Sequence, residues 1–285
     1  MQTPVLNFEL FRYQNSKMSL ADDLVVVEEP LQIILQYGPE AARQEHTLTL
    51  TMRTPGHDFE LAIGFLLSEG VIDSPAQILK VWHCEQPKDP AEGENVLKVA
   101  LTPELSFEIG DLQRNFYSSA SCGVCGKTAI DKVIACAGVL AFGAAALQIE
   151  ILTHLEHAFS ERQSLFRHTG GIHAAALFST SGKLLILRED IGRHNALDKL
   201  IGALSAMPEI DRSRTILFLS GRVGYELVQK SIMAQLPVIA ALGAPSSLAV
   251  SLARRHQQTL VGFLKRERFN VYSGAERFVS SLEGC

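Results

Sequence analysis

Two cysteines two residues apart, Cys122 and Cys125 in the stretch SCGVCGK, have the clearest potential for chemistry in this sequence. Gly123 and Gly126 permit unusual backbone angles. The small polar residues around them predict a mobile loop. Lys127, and a helix expected to begin just after it, would favour the thiolate form of a cysteine. This spacing fits half of a zinc site, a redox-active disulfide or a sulfur carrier.

The residues around the two cysteines do not fit these three alternatives equally well. Structural zinc needs a second pair of ligands, and the candidates, Cys136 and the adjacent His83–Cys84, lack the usual spacing. A thioredoxin-like site would place the pair between a strand and a helix of a βαβ unit, not in a glycine-rich loop. A mobile thiolate suits a sulfur relay, in which it accepts the terminal sulfur of a donor persulfide. A loop whose cysteines do no chemistry stays a fourth possibility.

Composition limits the class of protein. The chain has 285 residues, of which 47 % are hydrophobic and 20 % charged, which is typical of a folded protein. A net charge of −5 gives no basic field, so we expect no nucleic-acid partner. No apolar run approaches the roughly 20 residues of a membrane span, and the N-terminus lacks a signal pattern. We therefore expect a cytoplasmic protein without a membrane partner. The odd count of 5 cysteines argues against a disulfide framework.

The first half of the sequence predicts a mixed α+β domain. Alternating or β-branched residues predict strands. A helix is expected along TPGHDFELAIGFLLSEG, with Thr54 or Asp58 as its cap and Gly70 near its end. The predicted strands are Asp23–Val27, Leu31–Gln36, Thr47–Arg53, Ile78–His83 and Val96–Leu101. We place this domain at residues 1–140, ending in the Cys-x-x-Cys loop.

The second half, residues 141–285, alternates helices and strands. The predicted helices are 147–163, 193–206, 224–235 and 246–256, and the predicted strands are 173–178, 184–188, 215–219, 238–241 and 259–263. This alternation predicts a mostly parallel sheet with helices on both faces. The order α-β-β-α-β-α-β-α-β is that of a cytidine-deaminase-like three-layer α/β fold. We therefore expect a protein of the α/β and α+β classes.

Deaminase chemistry is not expected from this fold. A zinc deaminase needs a His-x-Glu pair followed downstream by Pro-Cys-x-x-Cys. In GGIHAAAL the residue two positions after His173 is Ala175, and the Cys-x-x-Cys lies upstream with Ser121 before it. The proton shuttle is missing and the order is reversed.

Polar turns at the ends of the predicted strands suggest a ligand site. In open α/β sheets ligands bind at the carboxyl ends of strands, where helix N-termini offer N–H groups to phosphates. The candidate ligand-binding residues in these turns are Arg193, Ser220, Gly221, Arg222, Ser246 and Ser247. Glu189 or Asp190 could accept hydrogen bonds from a base such as guanine. In the alternative interpretation, Asp190 and Ser246 are helix caps and Arg193 is a surface charge.

Two further features are open at this point. The run FLKRERFNVY contains Lys265, Arg266 and Arg268, which could grip an anion or form a solvated surface. His168 and His173 flank a double glycine in RHTGGIHAAAL. They could line a pocket, although structural hydrogen bonding is slightly favoured.

Seven motifs together resemble those of the formate dehydrogenase accessory sulfurtransferase family. In order they are TMRTPGHDFELAIGFLLSEG, SCGVCGK, HTGGIHAAAL, REDIGRHNALDK, SGRVGYELVQK, APSSLAV and GFLKRERFNVY. The similarity runs from about Met52 to Tyr272. One motif would be weak evidence, but seven in the same order make chance resemblance very improbable.

The resemblance implies an activity and its partners. Members of this family take sulfur from a cysteine desulfurase and pass it to the molybdenum of bis-molybdopterin guanine dinucleotide, which formate dehydrogenase needs. It implies that Cys122 carries the persulfide and Cys125 assists. The stretch corresponding to the family's cofactor-binding segment is Phe263, Leu264, Lys265, Arg266, Glu267 and Arg268. The resemblance also implies a homodimer whose deaminase-like half lacks the deaminase zinc site.

The resulting hypothesis is a sulfurtransferase that holds the molybdenum cofactor as a bound substrate, with guanosine diphosphate as its mimic and no zinc. Arg193, Arg222 and Ser246–Ser247 would bind the diphosphate. One alternative is a chaperone that binds the cofactor without transferring sulfur. Another is a zinc-stabilised adaptor.

Overall fold

The computed structural model describes residues 3–84, 94–105 and 147–279. The Cys-x-x-Cys motif, Cys136, Cys285 and the predicted domain boundary near residue 140 lie outside these ranges. Within them, no helix is long and apolar enough to cross a membrane.

The N-terminal half contains a two-stranded hairpin and a four-stranded sheet. The hairpin consists of β1 (Val5–Gln14) and β2 (Lys17–Val26). The sheet consists of β3 (Glu29–Tyr37), β4 (Gln44–Arg53), β5 (Ile78–His83) and β6 (Val96–Leu101) in the order β4-β3-β6-β5. Helix α1 (Asp58–Ser68) packs Leu61, Ala62 and Leu66 against the buried face of this sheet.

The C-terminal half is built on a six-stranded sheet. Its strands are β8 (His173–Ser179), β9 (Leu184–Asp190), β10 (Thr215–Leu219), β11 (Val238–Ala241), β12 (Thr259–Lys265) and β13 (Arg268–Ser273). The short strands β7 (Leu147–Gln148) and β14 (Phe278–Val279) pair beside it. The helices are α2 (Ile149–Ser160), α3 (Ser164–Thr169), α4 (Arg193–Ser205), α5 (Tyr225–Met233) and α6 (Ser247–Arg255).

The strand order of this sheet is β13-β12-β11-β10-β8-β9, with β10, β11 and β12 parallel and the other pairs antiparallel. The central strand β10 is buried along its whole length, as expected for a strand covered on both faces. Helices α4, α5 and α6 share one core with one face, and α2 packs on the other face. The predicted three-layer α/β and α+β class is confirmed.

Three parts of the predicted secondary structure were wrong. The N-terminal strand was predicted only from Asp23, but the chain forms a hairpin of two ten-residue strands from Val5, closed by Asn15 and Ser16 in left-handed conformations. The helix predicted over 147–163 begins as the short strand β7 and ends at Ser160. A separate helix, α3, follows it, and Glu189 caps α3 by accepting hydrogen bonds from the N–H groups of Leu165 and Phe166. Strand β12 continues beyond 263 into a hairpin with β13.

Two glycines let the halves of the molecule approach closely. A Cβ at Gly64 in α1 would lie 1.8 Å from the carbonyl oxygen of Asp198 in α4. A Cβ at Gly202 would lie 1.9 Å from the carbonyl oxygen of Glu60. Real Cβ atoms essentially never come within 3.0 Å of such atoms, so only glycine fits at either position.

Buried ion pairs surround this crossing. Lys230 Nζ lies 3.0 Å from Asp198 Oδ1 and 2.7 Å from Glu69 Oε1, and it donates to Ser68 Oγ at 2.9 Å. Burial alone would lower the pKa of Lys230, but the charges of Asp198 and Glu69 outweigh it and raise the pKa. The ammonium therefore stays charged and joins α5 to α1 and α4.

A second buried pair fixes the end of β4. Lys199 Nζ lies 2.6 Å from Asp190 Oδ2 and donates to Thr54 O at 2.8 Å. Asp190 Oδ2 also accepts from the Thr54 N–H, and Asn195 Nδ2 donates to Met52 O at 2.7 Å. The chain after β4 is thereby anchored at the start of α4, next to the carboxyl ends of the parallel strands.

Candidate functional site

The turns after β10 and β11 are joined to each other and to the end of β12 by backbone hydrogen bonds. The Gly243 N–H donates to Gly221 O at 3.2 Å, and the Phe263 N–H donates to Gly243 O at 3.2 Å. A Cβ at Gly243 would lie 2.6 Å from the Arg222 nitrogen, so glycine permits this approach. Because β10, β11 and β12 are parallel, their carboxyl ends meet at one edge, and the predicted turns after β10 and β11 lie there together. We call this region, with the side chains that border it, the carboxyl-edge site.

His173, at the start of β8, and Ser220, just after β10, border this site. The Ser220 hydroxyl accepts a hydrogen bond from the Ala174 N–H at 2.9 Å, and the Ser220 N–H donates to Ala174 O. A Cβ at Gly221 would lie 3.3 Å from the imidazole ring of His173. Burial, together with the positive charges of Arg193 and His194, lowers the pKa of His173. The imidazole is therefore neutral at pH 7.

Arg193 and His194 begin α4 on the same edge. His194 Nε2 lies 3.3 Å from Glu226 Oε2 at the start of α5, so the two helix N-termini are neighbours. The hydrogen bond from His194 lowers the pKa of Glu226 against the effect of burial, and the charge of Arg193 acts in the same direction. The residues at the N-caps, Gly192 and Gly224, provide no side-chain cap.

Two buried polar atoms at these helix starts have no hydrogen-bond partner in the described part of the chain. They are Arg193 Nε and the Tyr225 hydroxyl oxygen, and His194 Nε2 has only its 3.3 Å ion-pair contact with Glu226. A buried donor left unpaired costs about 1–3 kcal/mol. A ligand oxygen that reached Arg193 Nε would remove that cost, so this guanidinium is suited to an anionic ligand.

The basic run lies on the β12–β13 hairpin. Phe263 adopts a left-handed conformation (φ 54°) at an irregularity between Gly262 and Lys265. The exposed tip that follows consists of Lys265, Arg266, Glu267 and Arg268. The side chain of Leu264 is fully buried in the core, so it cannot contact a ligand.

The other predicted side chains divide between the site and the scaffold. Arg222 and Ser247 are exposed at the edge, while the Ser246 hydroxyl caps α6 by accepting from the Ala249 N–H at 3.2 Å. Asp190 is fully buried in its ion pair, and Glu189 caps α3. The carboxylates of Glu189 and Asp190 already accept hydrogen bonds within the protein, which does not favour the prediction that either one receives a guanine base.

The two thiols of the proposed relay lie outside the described residues, as does Lys127. In the described ranges, no group of three or more His, Cys, Asp or Glu side chains could hold a metal ion. Cys84, at the end of β5, is a free and half-buried thiol.

Sequence reasoning missed Tyr225 and Glu226. Both stand in the quoted motif SGRVGYELVQK, and the signal was their position in the first turn of a helix that follows a strand-end turn. Their closeness to His194 could not be read from the sequence, because it depends on how α4 and α5 pack.

Comparison with known proteins identifies relatives along nearly the whole chain. The model of the FdhD/NarQ family matches residues 26–279. A sulfur carrier protein FdhD from Streptomyces coelicolor is 42 % identical over 272 residues, which cover 94 % of each chain. Another from Mycolicibacterium paratuberculosis is 44 % identical over 260 residues, 90 % of this chain and 92 % of that one. One from Sulfurisphaera tokodaii is 38 % identical over 277 residues, 96 % and 99 % of the two chains.

A solved structure has the same fold. It is the crystal structure of a candidate formate dehydrogenase accessory protein from Desulfotalea psychrophila. Its TM-score is 0.71 at 21 % identity, and the match covers 97 % of this chain and all of that one. At this level of identity the likeness concerns the fold alone.

Proposed function

The chain belongs to the FdhD/NarQ family, and from that premise we propose that it is a sulfur carrier in the maturation of formate dehydrogenase. The observation that carries this proposal is the 42–44 % identity, over 90 % or more of the chain, to proteins named as sulfur carriers. The Cys-x-x-Cys motif supplies thiols suited to the task.

The first step in this proposal is acceptance of sulfur from a cysteine desulfurase. The thiolate of Cys122 attacks the terminal sulfur of the donor persulfide. A new sulfur–sulfur bond forms on Cys122, the donor's sulfur–sulfur bond breaks, and the donor cysteine leaves as a thiolate. The exchange needs no outside oxidant or reductant.

The second step releases the sulfur toward the molybdenum cofactor, which is the substrate. The thiolate of Cys125 attacks the Cys122 sulfur that bears the persulfide. A Cys122–Cys125 disulfide forms, and the terminal sulfur leaves as sulfide, reduced by the two electrons of the dithiol. A cellular dithiol reductant then restores both thiols.

The carboxyl-edge site is proposed to hold the cofactor, bis-molybdopterin guanine dinucleotide. The unpaired Nε of Arg193 and the uncapped starts of α4 and α5 suit phosphate oxygens. The exposed cations Arg222, Lys265, Arg266 and Arg268 add positive charge around the same edge. Guanosine diphosphate serves as the mimic of one end of the cofactor.

Cysteine variants test whether the protein transfers sulfur or only holds the cofactor. Cys122→Ser and Cys125→Ser are expected to abolish formate dehydrogenase activity in cells that lack the native protein. Cys84→Ser, the matched control, should restore activity as the wild type does. If the two loop variants restore full activity at normal protein levels, the chaperone alternative replaces the sulfur carrier.

A further inference from the structure

Glu226 places a carboxylate at the start of α5, beside the cations of the carboxyl-edge site. Its Oε2 atom lies 3.3 Å from His194 Nε2, and a Cβ at Gly224, the N-cap residue, would lie 3.7 Å from the same oxygen. The carboxylate is therefore turned back over the first residues of its own helix. Contact with His194, the charge of Arg193 and the backbone N–H of Glu226 itself lower the pKa of this side chain and outweigh its burial. The same groups would stabilise a bound phosphate.

Two neighbouring polar groups indicate that the start of α5 is a ligand site and not only a helix terminus. Tyr225 is 8 % exposed, and its hydroxyl has no hydrogen-bond partner anywhere in the ranges that the structure describes, nor has Arg193 Nε. Burial and the nearby charge of Glu226 raise the pKa of this hydroxyl, against the charge of Arg255. A buried polar group without a partner costs free energy that a ligand oxygen can recover. The internal carboxylate therefore leaves two groups unsatisfied that a larger anion could engage.

The contact of Glu226 with His194 is weak enough to be exchanged. The side chain of Glu226 is 53 % exposed and that of His194 is 36 % exposed, and ion pairs this open to water contribute little. The carboxylate can turn into solvent while α5 keeps its backbone. A phosphate group carries more negative charge and more acceptor oxygens than a carboxylate. It would therefore gain more from the same cations than Glu226 does.

We propose that Glu226 is an internal competitor for the anionic ligand of this site, whose carboxylate occupies His194 and the start of α5 until a phosphate group displaces it. The inference rests on the proposed role of the carboxyl-edge site. A carrier must release its cofactor after sulfur transfer, and a competitor that weakens binding favours release. The alternative is that Glu226 only stabilises the first turn of α5, where acidic side chains are favourable. The two roles predict different effects on ligand affinity.

Calorimetric titration of Glu226→Gln with guanosine diphosphate tests the proposal. Glutamine keeps the shape of the side chain and removes its charge. The Kd should fall about fivefold, because the ligand no longer has to displace a carboxylate. Glu209→Gln is the matched control, because it removes the same charge from an exposed position beyond the far end of α4. The control should change the Kd less than about twofold. Guanosine, which has no phosphate, should bind the wild type and Glu226→Gln equally.

The results separate the internal competitor from the cofactor site. An unchanged or higher Kd in Glu226→Gln, or an equal gain for guanosine, overturns the competitor and leaves the proposed cofactor site intact. If guanosine diphosphate binds neither protein, both proposals fail. Sulfur loading of Cys122 is measured separately and does not depend on either result.

Nuclear magnetic resonance of isotope-labelled histidine rings gives a second answer without a change at Glu226. Saturation with guanosine diphosphate should shift the His194 signal, because the partner of the imidazole changes from a carboxylate to a phosphate. The loss of this signal in His194→Gln identifies it. A His194 signal that does not move at saturation contradicts the displacement.

Discussion

Substitution of Gly64 by alanine should loosen the crossing of α1 and α4. The new Cβ would lie 1.8 Å from Asp198 O, and the helices must part by about 1.2 Å to reach 3.0 Å. That movement would stretch the 2.7 Å hydrogen bond between Ser68 and Asp198 beyond bonding distance. It would also weaken the packing of Leu61 and Leu66.

The expected loss of stability combines three contributions. Overpacking costs about 1–3 kcal/mol, and the lost buried hydrogen bond costs about 1 kcal/mol. Better helix propensity returns about 1 kcal/mol. The net loss is about 2 kcal/mol, which corresponds to a fall of roughly 4–8 °C in Tm for a chain of this size.

Differential scanning calorimetry of Gly64→Ala measures this loss. Gly171→Ala is the matched control, because its Cβ would meet nothing nearer than an oxygen at 3.8 Å and the residue is not left-handed. The control should keep the wild-type Tm within about 1 °C. If Gly64→Ala has the same Tm as the control, the close crossing of α1 and α4 does not constrain the fold.

Three other changes have defined outcomes. Lys230→Met should lower the free energy of unfolding in urea by about 3–5 kcal/mol, because it leaves the Asp198 carboxylate without its ion-pair partner. The double variant with Asp198→Leu should recover most of this loss, and an equal loss in both variants would contradict the reasoning. The ion pair with Arg188 and contact with His57 overcome burial and lower the pKa of Glu60 from 4.5 to about 2, so the stability it contributes is present above about pH 4.5 and is lost as the pH falls toward 2. Glu60→Gln should flatten that acid dependence of the urea midpoint, and an unchanged slope would count against it. Arg193→Met should raise the Kd for guanosine diphosphate about tenfold in calorimetric titration, whereas Arg214→Met, at the opposite edge of the sheet, should leave it unchanged.

The alternation of helices and strands in the C-terminal half was predictable from the sequence, because each strand is an apolar run bounded by polar turns. Strands β10 and β11 and the start of α4 match the predicted bounds. Parallel strands necessarily bring their carboxyl ends together, so the meeting of the turns near Ser220 and Gly243 also followed from the sequence.

The rest depended on contacts between distant segments. Asp190 looked like a free acceptor in REDIGRHN, but Thr54 and Lys199 engage its carboxylate. The β1–β2 hairpin was predicted only from Asp23, because the alternation of apolar and polar residues in β1 changes phase between Leu10 and Phe11. The unusual backbone of Phe263 has no signal in its residue type.

The central claim is tested most directly by the intact mass of the protein after incubation with a cysteine desulfurase and free cysteine. Peptide mapping locates the added sulfur, and Cys122→Ser and Cys84→Ser serve as paired variants. The account predicts one added sulfur on Cys122 that a thiol reductant removes, absent in Cys122→Ser and retained in Cys84→Ser. If no sulfur is gained while guanosine diphosphate still binds, the protein is a cofactor chaperone and not a sulfur carrier.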